Sequence, residues 1–225
     1  ITDSLVGSEM CIRDRGKTAR VIDNLGPADS PGAFSALAIA ENDIPHVFDA
    51  QTIAETDGLK VPPAKGRSDM RALPFVTIDG ADARDFDDAV LATPLEGGGW
   101  EIRVAIADVS HYVRPGSALD AEARKRGNSV YLPDRVVPML PEALSNDLCS
   151  LRPNEPRAAM VAIITMDEDG DVTSHSFERA LIRSAARLTY DKVQAWHEGG
   201  MTAGEMEVDE ASLTNVFGAG DALGR

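Results

Sequence analysis

Two apolar runs joined by three glycines limit the fold more than any other feature of the chain. AVLATPL leads into a Gly97-Gly98-Gly99 turn and then WEIRVAIADV, in which Trp100, Ile102, Val104 and Ile106 alternate with other residues. Period-two alternation beside a glycine turn predicts a β-hairpin with one face in the core. The pattern recurs in AAMVAIITM, the turn DEDGD at 167–171, and VTSHSFERALIRS. PFVTI, β-branched and aromatic, adds a buried strand upstream. Single helices fall between these strands. Ser117 caps ALDAEARKR, which stops at Gly127, and Thr189 caps LTYDKVQAWHE, which ends at Gly199-Gly200. SVYLP reads as a short strand, and its prolines make VVPMLPEAL loop-rich. Strand pairs interleaved with helices predict an α+β fold: a mixed, mainly antiparallel twisted sheet of hairpins.

The chain has 225 residues, enough to bury a core without disulfides. Its two cysteines, Cys11 and Cys149, are too few for a disulfide framework or a thiolate zinc site. No apolar run reaches the roughly 18 residues of a membrane span, so a reducing cytoplasm is the expected compartment. Residues 1–15, ITDSLVGSEMCIRDR, share neither period nor turn chemistry with the residues after them. They resemble translated sequencing-adapter read-through and are expected to be a non-native leader. Residues 16–70 read as a connector: the loop LGPADSPG, a short helix carrying Phe34, Leu37, Ile39 and Ile44, and a polar stretch with one helical turn. Residues 71–225 read as one compact region whose last 25 residues are weakly patterned.

Asp79, Asp85, Asp87 and Asp88 fall within ten residues, between PFVTI and AVLATPL. Carboxylates gathered at one point repel, and some must take up protons unless a counter-charge arrives. Hard oxygen donors suit Mg²⁺, with Mn²⁺ as the alternative. The D-x5-D-x-D-D spacing does not fit an EF-hand. Two ions about 4 Å apart, held by acidic residues, are a standard device for in-line phosphodiester hydrolysis. The competing reading is a solvated acidic loop; the flanking apolar strands favour a site, because they put the loop at the edge of a core. Asp82 is off this spacing and reads as a turn residue or a partner behind the ligands. Arg84 either pairs with a neighbouring carboxylate or touches a phosphate, and the surface pair is favoured. The net charge of −15 argues against a protein that grips a polyanion through its own basic surface.

VTIDGADARDFDDAV, VAIADVSHYVRPGSALDAEARKRGNSVYLPDRVVPMLPEALSNDLCSLRPNEPR and RLTYDKV, in that order, resemble the catalytic domain of the ribonuclease II / ribonuclease R family. RALPFVTIDG and the RGNSVYLPDRVVPMLPEALSN block are closer to its ribonuclease R branch. The helix and IPHVF near 34–48 resemble the segment joining that branch's cold-shock domains to its catalytic domain. The resemblance implies a hydrolytic 3′→5′ exoribonuclease that works processively on single-stranded RNA and releases nucleoside 5′-monophosphates, with no obligate protein partner. It implies Asp79, Asp85 and Asp88 as metal ligands and Asp87 as the aspartate needed for cleavage but not for RNA binding. It implies Tyr131 as the aromatic that positions the 3′-terminal nucleotide and Tyr190 as one that stacks on bases. Read without the resemblance, each tyrosine is a core ring with a hydrogen-bonded hydroxyl. Arg152 and Arg157 either line an RNA channel or pair with surface acids.

The chain departs from the family at Ala81, where relatives often carry glutamate, and at Asp147, commonly glycine. The family's late arginine at the scissile phosphate, its glutamate-bearing helix, its cold-shock domains and its OB-fold domain are not found. The chain is therefore expected to be an interior fragment, inactive or nearly so alone. The alternative from another class is a non-catalytic RNA-binding or scaffold module of the same fold.

Overall fold

The computed structural model describes residues 24–27 and 29–224; the expected leader at 1–15, Cys11 with it, lies outside them. In chain order the elements are α1 (Ala33–Glu41), α2 (Ala50–Ala54), β1 (Ser68–Met70), β2 (Val76–Asp79), β3 (Asp88–Pro94), β4 (Trp100–Ala107), α3 (Val109–Tyr112), α4 (Ala118–Arg126), β5 (Val130–Tyr131) and β6 (Val136–Val137). A π-helical turn (Leu144–Leu148), β7 (Pro156–Met166), β8 (Val172–Arg183), β9 (Ala186–Thr189), α5 (Tyr190–His197), a 3₁₀ turn (Ala203–Met206) and α6 (Glu210–Leu223) complete the chain. It divides into two compact units: one from residues up to 55 together with 116–141, the other from 56–115 together with 142–225.

The first unit holds α1, α2, α4 and the β5–β6 ribbon. Ser117 caps α4 as expected, accepting from the Asp120 amide at 3.1 Å. The Glu55 carboxylate takes the next two free amides, those of Ala118 and Leu119, at 2.9 Å each. The Arg126 guanidinium lies 3.7 Å over the Phe48 ring.

The second unit is a seven-stranded sheet in the order β1-β8-β7-β4-β3-β2-β9. The outer pairs β1–β8 and β2–β9 are parallel and the rest antiparallel, so the fold is the expected mixed, mainly antiparallel α+β arrangement. Both hairpins form. Gly99 is required in the first: at φ +84° a Cβ would lie 2.2 Å from the Met166 carbonyl oxygen. In the second turn, Asp167 accepts from the amides of Asp169 and Asp171.

The burial of β4 corrects one expectation. Ala105 and Ala107 are its buried residues, while Trp100, Ile102 and Val104 are half-buried and Ile106 is 47% exposed. Both faces of this strand carry packing, so alternation in residue size did not report which face lay deeper. On the alanine face, Ala89 pairs with Ala105, and Ala107 with Ala159, which pairs in turn with Ala180; this row of small side chains allows close approach. The opposite face is covered by α6 toward the Trp100 end, where Ala92, Met166, Ala219 and Ala222 form a cluster. Beneath α5 and α6, Val76, Leu188, Val193, Met206 and Leu213 form another. The weakly patterned last 25 residues thus contain a 14-residue helix, capped by Asp209. No helix among the described residues is long and apolar enough to cross a membrane.

Candidate active site

Strand ends bring the acidic residues together. Asp79 closes β2 and pairs with Thr189 on β9; Asp88 opens β3 and pairs with Ile106 on β4. Between them residues 80–87 form an irregular loop held at both ends. Its far end is fastened by the buried Ser150, whose hydroxyl donates to the Arg84 carbonyl (2.9 Å) and accepts from the Phe86 amide (3.1 Å). The Leu151 amide adds a bond to the Phe86 carbonyl, and the Ala107 amide one to the Asp87 carbonyl. The near end is bound by Arg187, whose Nη2 donates to the carbonyls of Gly80 and Ala81.

The electrostatics are those of crowded carboxylates. Partial desolvation pushes the Asp87 carboxyl up to about 6, and the charges of Asp85, Asp88 and Asp79 add to the rise. Asp87 is exposed over the residue as a whole, so the desolvation falls on its carboxyl group, which stands among the other acids. Burial also raises Asp79, helped by Asp88 and Asp85 and opposed by Arg187. Oδ2 of Asp79 is buried without a hydrogen-bond partner, a costly state for a carboxylate. Among the described residues no three His, Cys, Asp or Glu side chains already stand at metal-binding spacing. The donor set nevertheless fits a hard divalent cation: it is all oxygen, strongly negative, and leaves one carboxylate oxygen unpartnered.

Tyr190, the first residue of α5, is 63% exposed and lines a cavity of about 750 Å³ with Asp88, Ile78, Val90 and Asp191. The structure therefore brings Tyr190 and the acidic cluster to one place. Tyr131 belongs to the first unit, on β5, where it is 65% exposed; neither tyrosine is a core ring. Asp82 sits at the exposed tip of the loop and acts as a turn residue.

Arg157 is buried and clamps the π-helical turn, donating to the carbonyls of Asp147 and Ser150 and to the carboxylates of Asp147 and Glu155. Asp147 is thus a working partner of Arg157. Arg152 pairs with Asp147 and Glu155 at 3.4 Å each. Cys149 is buried beside this turn; burial and the charges of Asp87 and Asp108 push its thiol up to about 12. Arg187 and Ser150 are the residues that sequence reasoning missed. The one signal for Arg187 was its place at the head of RLTYDKV.

The RNB domain family matches residues 67–218. Ribonuclease R of Vibrio cholerae is 51% identical over 191 residues, covering 83% of this chain and 23% of that protein. Ribonuclease R of Escherichia coli is 50% identical over 182 residues, covering 79% of this chain and 22% of that protein. The chain thus spans under a quarter of the length of these curated relatives. Mycoplasma genitalium RNase R, solved in complex with ribose-methylated single-stranded RNA, superposes with a TM-score of 0.82 at 33% identity, over 89% of this chain and 32% of that one. Yeast Ssd1, a pseudonuclease, shares the fold with a TM-score of 0.71 at 18% identity, over 89% of this chain and 25% of that one.

Proposed function

The chain belongs to the RNB domain family, and on that premise we propose that it carries the catalytic acidic loop of a processive, hydrolytic 3′→5′ exoribonuclease. The substrate would be single-stranded RNA and the product nucleoside 5′-monophosphates. The observation that carries this reading is the gathering of four aspartates at the ends of β2 and β3, close enough that their charges raise Asp79 and Asp87. Asp79, Asp85 and Asp88 would hold Mg²⁺, or Mn²⁺ in its place. Such ions, when bound, supply an activated water and a counter-charge for the leaving oxygen.

The protein's own part is to keep the carboxylates at one point and to hold the RNA. Asp87, whose pKa of about 6 lies below neutrality, is mostly ionised at pH 7.5 and able to orient or accept a proton there. Tyr190 offers an exposed ring beside Asp88, suited to stacking a base. Tyr131 would position the 3′-terminal nucleotide. A chain of net charge −15 gains little from counterion release, so stacking and the bridging cation must carry most of its RNA affinity. A reducing cytoplasm suits the free Cys149, and no obligate protein partner is invoked.

A chimera with residues 67–218 of this chain in place of the matching segment of E. coli ribonuclease R tests the reading. With Mg²⁺ it should shorten a 5′-labelled single-stranded RNA progressively from the 3′ end. Its Asp87→Asn form should bind the RNA and leave it intact. Binding without shortening by either protein would favour a non-catalytic RNA-binding module, the reading that a fold shared with a pseudonuclease supports. Retention of all four aspartates favours the enzyme.

A further inference from the structure

Arg187 stands on β9 opposite Thr77, in the parallel pairing with β2 that ends at Asp79. Asp79 lies close enough to feel its charge, yet the arginine's Nη2 is directed to backbone, donating at 2.7 Å to both the Gly80 and the Ala81 carbonyl. Those carbonyls belong to the turn between Asp79 and Asp85. The same guanidinium lies 5.4 Å over the Phe86 ring, next to Asp87, so one side chain meets both ends of the loop. Exposed arginines elsewhere on this unit behave differently: Arg71 closes on the Asp69 carboxylate at 2.6 Å. An arginine that paired in that way inside the acidic cluster would occupy a ligand oxygen. Bonding to carbonyls orders the loop, and the positive charge stays close enough to oppose the rise in Asp79.

We propose that Arg187 is a positioning residue of the acidic site: its bonds to Gly80 and Ala81 fix the turn that follows Asp79 and leave Asp79 Oδ2 open to a cation. The proposal rests on the metal-site reading above. It separates the two properties of the side chain. Lysine at 187 keeps the charge and one bond but loses the planar guanidinium, whereas glutamine loses the charge.

The test is a Mn²⁺ titration of the 225-residue chain, following the electron paramagnetic resonance signal of the free ion, together with amide exchange over residues 80–87. Relative to wild type, Arg187→Gln should weaken Mn²⁺ binding about tenfold or more and Arg187→Lys by less, since outer partners of metal ligands typically contribute about 10–100-fold to affinity. Both variants should exchange faster at 80–87. An Arg187→Gln affinity within about twofold of wild type would overturn the proposal. If that variant does not fold, Arg187→Lys decides: unchanged affinity overturns the proposal and weaker binding upholds it. If the wild-type chain binds no Mn²⁺, the metal-site reading fails on its own. Amide exchange then judges Arg187, and unchanged protection at 80–87 in the variants overturns the loop-fixing role.

Discussion

Asp87→Asn should stabilise the metal-free chain at neutral pH. The folded chain raises the Asp87 carboxyl from an ordinary 3.8 to about 6. An acid raised on folding is more easily left neutral in the folded state, so its contribution is fully present below about pH 4. It is lost as pH climbs through about 6. At 1.36 kcal/mol per pH unit the ceiling is about 3 kcal/mol. Solvent reaches Asp87, and screening reduces the expected effect to about 1 kcal/mol. Urea unfolding in EDTA at a series of pH values measures it. Wild type should lose about 1 kcal/mol between pH 4 and 7 through this group; the asparagine variant should lose less over that range and be the more stable at pH 7.5. On the metal-site reading Mg²⁺ should then stabilise wild type, since a cation held only by the folded chain shifts the unfolding equilibrium. A variant no more stable than wild type at pH 7.5 without metal would refute the claim that Asp87 sits in a cluster of uncompensated carboxylates.

Particular contacts give three further outcomes. Asp108 has a fully buried side chain that accepts from Arg67 at 2.7 Å and from Ser110 at 2.8 Å. Asp108→Ala strands the Arg67 guanidinium and should cost about 3 kcal/mol by urea unfolding at pH 7. Burial alone would raise the Asp108 carboxyl, but the Arg67 and Ser110 bonds prevail and hold it below its usual value. Its stabilising effect is therefore present above about pH 4 and lost as pH falls through the lowered value. Gly170 has φ +90°, and a Cβ there would lie 2.1 Å from the Ala222 carbonyl oxygen; Gly170→Ala should cost about 2 kcal/mol and lower the melting temperature. Tyr190→Ala should weaken single-stranded RNA binding about tenfold by fluorescence anisotropy, with Tyr190→Phe near wild type, because stacking needs the ring. Equal losses in both variants would assign the effect to the hydroxyl.

Much of this architecture was legible because its signals are local. The β3–β4 and β7–β8 hairpins announce themselves by alternation and by glycine or aspartate turns, and the caps at Ser117 and Thr189 by hydroxyls ahead of helical runs. The clustering of the four aspartates was legible in the sequence, but spacing alone left a solvated acidic loop open; the flanking apolar strands favoured a site, and the separate roles came only from the family resemblance. Helix α6 was not legible, because small residues, Ser212, Ala219 and Ala222, make up much of its buried surface beside Leu213, and Gly218 lets the Trp100 ring approach so closely that a Cβ would meet it at 2.7 Å. Strands β1 and β9 are three and four residues long, and each joins the sheet in parallel with a partner distant in sequence. Parallel pairing leaves no turn to read. Arg187 was hidden for the same reason, since its hydrogen-bond partners lie over 100 positions upstream.

The central claim is that Asp79, Asp85 and Asp88 form a divalent-cation site. Anomalous diffraction from crystals of the chain soaked in Mn²⁺ examines it directly. The expected result is at least one anomalous peak within about 2.2 Å of oxygens from these carboxylates, lost in an Asp79→Asn, Asp88→Asn double variant. Fully ordered carboxylates with no peak between them, or a peak bound only elsewhere on the chain, would contradict it.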